Sequence, residues 1–274
     1  MNTRITHTLI AVALGVGLLS GATASQVEIT VENLTPSGGL YFTPVWVGIH
    51  DGSFDSFDAG SAASMSLQTL AETGNPGPLS GDFAVSGAGV DGVVFAPNGF
   101  AGAPVFDPGD SASITLNVDP AADRWLSFAS MIIPSNDAFI GNDDPMAYEI
   151  FDATGVFTGP LEILVLGTQV WDAGTEANTE LGAAFLDLPG MDTAEMGVVG
   201  LHPGFDPMGN ILGGMTVAGT TVDPLLGDFT QQGYQIAKIS INAVPEPGVI
   251  ALLGAGLGLV RVSGRKRILG STRA

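Results

Sequence analysis

The sequence predicts an all-β protein, an antiparallel β-sandwich with one or two short helices and long loops. Short runs in which apolar and polar residues alternate recur along the chain, as at Val27, Ile29 and Val31. Long segments rich in Gly, Pro and Asp separate these runs, and the chain holds 39 Gly and 17 Pro. The hydrophobic share of 45% is too high for a disordered chain. Several short strands joined by long loops are typical of a sandwich.

We predict strands at 27–31, 40–49, 114–118, 126–133, 161–170 and 235–244. The runs at 126–133 and 161–170 are so apolar that we expect both of their faces to be buried. Pro44 indicates a sheet edge or a bulge. One helix is expected at 62–72, with Ser61 as its N-cap and Gly74 at its end. The longest loops are expected at 74–110 and 172–225.

Residues 1–24 are expected to form a secretory signal peptide. Arg4 supplies a basic start, residues 9–19 form a short apolar run, and Ala22-Thr23-Ala24 is a small-residue cleavage site. The alternative is a first transmembrane helix, which needs about 20 apolar residues. Because this run is shorter, we expect cleavage before Ser25.

The C-terminal segment, residues 244–274, has the layout of a second targeting signal. Pro-Glu-Pro at 245–247 precedes an apolar run at 249–260 and a tail rich in Arg and Lys. This order resembles the PEP-CTERM sorting signal of exopolysaccharide-producing Gram-negative bacteria. The resemblance implies cleavage by an exosortase-type processing enzyme, followed by release or attachment at the cell surface. The apolar run would span about 18 Å of a hydrocarbon core of about 30 Å, so we expect a short transmembrane helix that anchors the chain transiently. An ordinary C-terminal membrane anchor is the alternative.

The charge of the chain excludes several function classes. There are 8 Lys and Arg against 28 Asp and Glu, a net charge of −20, and such a chain repels nucleic acid. Because the other basic residues lie in the terminal segments, the body at 25–243 keeps only Arg124 and Lys238 against 27 acids, a net charge of −25. The absence of cysteine excludes a disulfide framework, a thiolate metal site and a cysteine nucleophile. We expect cations from solution to balance part of the charge.

Several blocks of sequence follow one another in a recognisable order along the body. They include residues 31–60, the strand at 127–133 that leads into Pro-Ser-Asn-Asp at 134–137, and the loop Asp-Ala-Gly-Thr-Glu at 172–176. Together they resemble the spondin-type domain, which is found at the N-terminus of F-spondin and mindin and also alone in bacterial exported proteins. The resemblance covers roughly residues 30–240.

This resemblance implies a β-sandwich related to C2 domains, with a calcium ion held by loops at one end. By position, Asp137 matches the calcium-binding Asp of the family, and Asp172 and Glu176 match the two acids of the later loop. Glu176 stands where animal members have Asp. Calcium prefers about six to eight oxygen ligands at about 2.3–2.6 Å, which loop carboxylates can supply. Gly174 lets the loop turn, so that two acids four residues apart can face one ion.

Other interpretations of the polar residues stay open. The acids could be solvated loop charges, and we expect Asp51, Asp55 and Asp58 to cap backbone N–H groups. A secreted hydrolase could cleave extracellular polysaccharide with a pair of carboxylates. His50 and His202 with one acid could hold zinc, although the sequence contains neither H-E-x-x-H nor G-x-S-x-G.

We therefore expect a non-catalytic binding or structural module that binds calcium. We expect it to be exported to the cell surface or extracellular matrix of a Gram-negative bacterium. Its expected partners are the processing enzyme and an exopolysaccharide or another cell-surface component. No nucleic-acid partner is expected, and contact with the membrane is expected only transiently.

Overall fold

The computed structural model describes residues 26–97 and 102–245. The expected signal peptide and all but the first two residues of the expected C-terminal signal lie outside these ranges. The strands are β1 (Gln26–Asn33), β2 (Tyr41–Phe42), β3 (Val45–His50), β4 (Gly89–Val94), β5 (Ser111–Asn117), β6 (Trp125–Ile133), β7 (Ala138–Gly141), β8 (Leu161–Leu166), β9 (Val170–Asp172), β10 (Gly200–Leu201) and β11 (Gln235–Ala243). The helices are α1 (Met65–Thr73) and α2 (Gly77–Ser86), and a short 3₁₀ turn covers Gly167–Gln169.

The strands form two antiparallel sheets. The first has the order β5-β1-β11-β8, and the second has the order β10-β9-β7-β6-β3-β4, with β2 paired to β6. The register of the first sheet is set at its centre, where Ile29 of β1 lies opposite Ile241 of β11 and Ile114 of β5. The predicted all-β sandwich is confirmed.

The main core lies between the two sheets. Alternate residues of β1 point into it, as the sequence pattern predicts, and they pack with Val45, Val47 and Ile49 of β3. The remaining residues of β3 are also buried, because α1 and α2 cover the outer face of the second sheet around Trp46. Phe83 of α2 packs edge-on against Trp46, with ring centroids 5.5 Å apart. The second sheet is therefore buried on both faces at β3 and β6.

The helical part of the chain differs from the prediction in two ways. The first helix begins three residues later than predicted, because Ser64 rather than Ser61 accepts the N–H of Leu67 and acts as the N-cap. Gly74 ends this helix in the left-handed conformation, as predicted. The predicted loop at 74–110 contains α2 and β4, which the Gly- and Pro-rich sequence did not indicate.

The predicted strand at 161–170 is two strands that belong to different sheets. The 3₁₀ turn separates β8 from β9, and the side chain of Gln169 accepts the N–H of Leu166 where β8 ends. Gly167 comes so close to the backbone of Phe229 that a Cβ would lie 1.9 Å from the carbonyl oxygen. The expectation that this run is buried on both faces is wrong for β8, an edge strand whose Leu164 is 44% exposed. It is right for β6, in which Leu126–Ile133 are all buried.

Candidate metal centre

Two neighbouring strands bring Asp137 and Asp172 to the same end of the second sheet. Asp137 ends the turn between β6 and β7, and Ser135 closes that turn. The Ser135 hydroxyl donates to the carbonyl of Ile132 at 2.6 Å and accepts the N–H of Ala138 at 3.1 Å. The pairing of β7 with β9 then places Asp172 opposite Ala138.

Asp137 is a fully buried carboxylate with one satisfied oxygen. Its Oδ2 accepts the N–H of Thr175 at 2.8 Å, the N–H of Glu176 at 3.0 Å and the Thr175 hydroxyl at 3.2 Å. Its Oδ1 is buried without a hydrogen-bond partner among the described residues. Burial raises the pKa of Asp137, the bonds from Glu176 and Thr175 oppose that rise, and the charge of Asp172 adds to it. The loop therefore fixes this carboxylate but leaves half of it unsatisfied.

Asp172 is oriented by its own loop. Its Oδ1 accepts the N–H of Gly174 at 2.7 Å, and its Oδ2 accepts the side-chain amide of Asn178 at 2.5 Å. Gly174 has a φ of 68°, and a Cβ there would lie 2.7 Å from the backbone of Val198. A turn that only glycine can make therefore follows Asp172, as expected from the sequence.

The side chain of Glu176 makes different contacts from those expected. The residue is buried, and its carboxyl shares a hydrogen bond with Asp192. Burial, this bond and the negative charges of Asp192 and Glu72 raise the pKa of Glu176 to about 8, while a bond with Asn136 opposes the rise. Glu176 therefore carries a proton at neutral pH and shares it with Asp192.

The three acids expected to bind calcium are thus neighbours, but their carboxyl groups are not assembled around one point. Asp137 and Asp172 interact directly by charge, whereas Glu176 reaches Asp137 only through its backbone N–H. In residues 26–97 and 102–245, no three side chains of His, Cys, Asp or Glu are arranged so that they could hold a metal ion.

The chemistry of the centre nevertheless fits a hard cation. Asp137 offers a buried oxygen without a donor, and Asp172 lies beside it. Neither ion pair found in the described ranges supplies a cation here. Arg124 pairs with Glu149 at the start of β6, the opposite end of that strand, and Lys238 pairs with Glu32 in the other sheet. Carboxylate oxygens without a nearby basic side chain are the environment that calcium prefers.

Sequence reasoning missed the residues that organise this end of the molecule. Asp192 lies in a long loop, and its approach to Glu176 depends on an isolated bridge between Glu176 and Ala194. Glu180 is buried and accepts three backbone N–H groups, which come from Asp206, Asn210 and Ile211. No local sequence pattern marks these contacts, since each joins residues 16 or more positions apart.

The two histidines do not form a zinc site. His50 contacts the Ser127 hydroxyl through Nε2 and accepts the N–H of Gly52 through Nδ1. His202 contacts the side chain of Asn178 instead. The ring nitrogens therefore serve separate local structures, and the zinc interpretation has no geometric support within the described ranges.

Asp51 and Asp55, two of the three aspartates in the loop after β3, cap backbone N–H groups as expected. Asp51 accepts the N–H of Ser53 at 2.8 Å, and Asp55 accepts the N–H of Phe57 at 3.2 Å. Asp143 accepts the N–H of Ala59 at 2.6 Å and so attaches this loop to the turn after β7.

Comparison with known proteins agrees with this architecture. The family model Spondin_N, which represents non-enzymatic extracellular domains, matches residues 34–183. This range is more than half of the chain, and it contains Asp137, Asp172 and Glu176. No curated protein matches the chain, and no helix within the described residues is both long and apolar enough to cross a membrane. Fold and family match together show that the chain belongs to the Spondin_N family.

Proposed function

We propose that the protein is an exported, non-catalytic binding or structural module whose loop end holds a calcium ion between Asp137, Asp172 and Glu176. The observation that carries this proposal is the buried Oδ1 of Asp137, which has no partner among the described residues. An unsatisfied buried polar atom costs about 1–3 kcal/mol, and more when it is charged. A cation at this oxygen would remove that cost.

Asp137 and Asp172 are the primary ligands in this proposal. The backbone of Thr175 and Glu176 holds Asp137 by one oxygen, so its other oxygen has a fixed position. Gly174 and Asn178 each donate to one oxygen of Asp172 and leave further lone pairs on both. A bound calcium ion would supply the positive charge that these neighbouring carboxylates lack.

Glu176 is a conditional ligand. Its carboxyl is bonded to Asp192 and has a pKa of about 8, so it must lose its proton and leave Asp192 before it can contribute an oxygen to the ion. Calcium affinity is therefore expected to rise with pH, since metal ligands must be deprotonated.

Export and surface attachment are the second half of the proposal. They rest on the signal-peptide pattern at 1–24 and on the PEP-CTERM-like order of residues 244–274, which together imply a bacterial exosortase substrate. A body with 27 acids and two basic residues suits an extracellular matrix rich in divalent cations. The proposed partner is an exopolysaccharide or another component of the cell surface.

Thermal unfolding of residues 25–243 in calcium and in chelator tests the metal proposal. Calcium at a hundredfold excess over its Kd stabilises the folded state by about 2.7 kcal/mol. We expect a higher Tm in calcium, and equal Tm values would refute the proposal. Magnesium at the same concentration is the control, because it dehydrates reluctantly and demands a stricter octahedral geometry.

A pull-down from extracellular matrix with and without calcium tests the proposed partner. Recovery of matrix polysaccharide only in calcium is expected. Turnover of that polysaccharide that disappears in Asp137→Asn would instead show that the module is catalytic.

A further inference from the structure

A chain of hydrogen bonds runs from Asp172 to a buried histidine outside the region that matches the family. The amide nitrogen of Asn178 donates to Oδ2 of Asp172 at 2.5 Å. The amide oxygen of Asn178 faces Nε2 of His202 at 3.1 Å. The N–H of Gly204 donates to Nδ1 of His202 at 3.0 Å. Asp172, Asn178 and His202 therefore form one continuous chain of hydrogen bonds.

The direction of each bond follows from the N–H of Gly204. A backbone N–H can only donate, so Nδ1 of His202 must be the unprotonated acceptor. The ring proton of neutral His202 is therefore on Nε2 and is donated to Asn178. This fixes the amide of Asn178 with its oxygen toward the ring and its NH₂ toward Asp172.

His202, at the end of this chain of hydrogen bonds, is held in place by ring packing and by a backbone hydrogen bond. Its side chain is buried, and it packs edge-on between Phe205 and Phe229 with ring centroids 5.5 and 5.4 Å away. Its backbone N–H donates to the carbonyl of Val170 in β9 at 2.9 Å. Phe229 belongs to the core between the two sheets, so the orientation of Asp172 is tied to the core rather than to the loop alone.

We propose that Asn178 and His202 are positioning residues that hold the Asp172 carboxylate in its ion-binding orientation. This inference rests on the proposed calcium function. Asn178 and Gly174 occupy about one lone pair on each oxygen of Asp172 and leave the others for a cation. A ligand held before the ion arrives binds it more tightly, because less side-chain entropy is lost on binding. Such outer partners of a ligand typically contribute about 10- to 100-fold in metal affinity.

Calcium titration calorimetry on the full chain and its variants tests this inference. Asn178→Ala is expected to weaken calcium binding about tenfold or more, and His202→Leu is expected to weaken it less, because the donor to Asp172 remains. In an Asp172→Asn background, Asn178→Ala is expected to cause no further loss of calcium affinity. A general structural defect would instead lower the affinity in both backgrounds. Asn117→Ala is the matched control, because the Asn117 side chain accepts a hydrogen bond from Gln26 at the exposed end of the other sheet.

The outcomes separate the two proposals. If the wild-type chain binds calcium and Asn178→Ala binds it equally well, the positioning role is wrong and the calcium function stands. If the wild-type chain binds no calcium, both are wrong. A second measurement needs no ion, since ¹⁵N chemical shifts of His202 in calcium-free protein should show an unprotonated Nδ1 and a protonated Nε2. The opposite tautomer would overturn the inference whatever the calorimetry shows.

Discussion

Replacing Asp137 by asparagine is expected to stabilise the calcium-free protein and to abolish its stabilisation by calcium. Burial raises the pKa of this carboxyl, so its ionised form is less favourable in the folded state than in the unfolded chain. Stability from such a group is present at low pH and is lost as the pH rises through the folded-state pKa. Asparagine keeps an oxygen that can accept from Thr175 and Glu176, and it removes the buried charge beside Asp172.

The size of the calcium effect follows from linkage. At a hundredfold excess over Kd, calcium contributes about 2.7 kcal/mol, and in a domain of 150–250 residues 1 kcal/mol shifts the Tm by about 2–4 °C. We therefore expect calcium to raise the Tm of the wild-type body by about 5–10 °C. In Asp137→Asn we expect little of this shift, because the neutral amide oxygen replaces an anionic ligand. Differential scanning calorimetry in calcium and in chelator measures both values.

Asp152→Asn is a matched control for this substitution. Asp152 accepts two backbone N–H groups, from Thr154 and Val156, and it also accepts the Thr154 hydroxyl. Asp137 accepts the same kinds of donor, namely two backbone N–H groups and a threonine hydroxyl. Asp152 is only partly buried, however, and its hydrogen bonds lower its pKa. Asp152→Asn should therefore lower the Tm in chelator and leave the calcium shift intact. If the two variants change the Tm in the same direction in chelator, or if Asp137→Asn retains the full calcium shift, the reasoning is refuted.

Three further substitutions test the structure around this centre. As the pH rises from the ordinary pKa of Glu176 to about 8, the calcium-free protein should lose at most about 1.4 kcal/mol of stability per pH unit, because only the folded state keeps that proton. Urea unfolding at several pH values should show that the stability of Glu176→Gln depends less on pH. Glu180→Gln should cost about 1–3 kcal/mol in the same assay, because the new NH₂ group faces backbone donors. Gly74→Ala should cost more than about 1 kcal/mol, since its Cβ would lie 2.3 Å from Thr43. Gly60→Ala is its control, because Gly60 has a similar positive φ and no atom lies within 4 Å of the position that its Cβ would take. An equal loss of stability in both variants would show that contact with Thr43 is not the cause.

The sequence predicted the parts of the fold that depend on local patterns. The alternation at Val27, Ile29 and Val31 identified β1, and the apolar run at 126–133 identified β6. Helix α2 was missed because its sequence contains two glycines and a proline, which disfavour a helix. It forms because Leu79 and Phe83 pack on the second sheet around Trp46, and this tertiary packing has no local signature.

The candidate centre was predictable to a similar extent. The family blocks predicted that Asp137 and Asp172 are neighbours, and the pairing of Ala138 with Asp172 places them beside each other. The side chain of Glu176 was not predictable, since its direction depends on Asp192, which a bridge between distant loop residues brings close. Asn178 was missed for the same reason, because its partner His202 lies 24 residues away.

Residues 173–234 contain the two-residue strand β10 and isolated bridges in place of longer strands, and side-chain carboxylates add further hydrogen bonds to this backbone. Asp137 accepts the N–H of Thr175 near the start of this segment, and Glu180 accepts the N–H of Ile211 near its middle. Backbone amides bonded in this way open when a few contacts break, whereas those of β6 open only with the whole sheet. Hydrogen exchange should therefore divide the molecule into a slowly exchanging sandwich and a faster cooperative unit. A protease should cut within 173–234 before it cuts the sheets, and a calcium ion at Asp137 and Asp172 should delay that first cut.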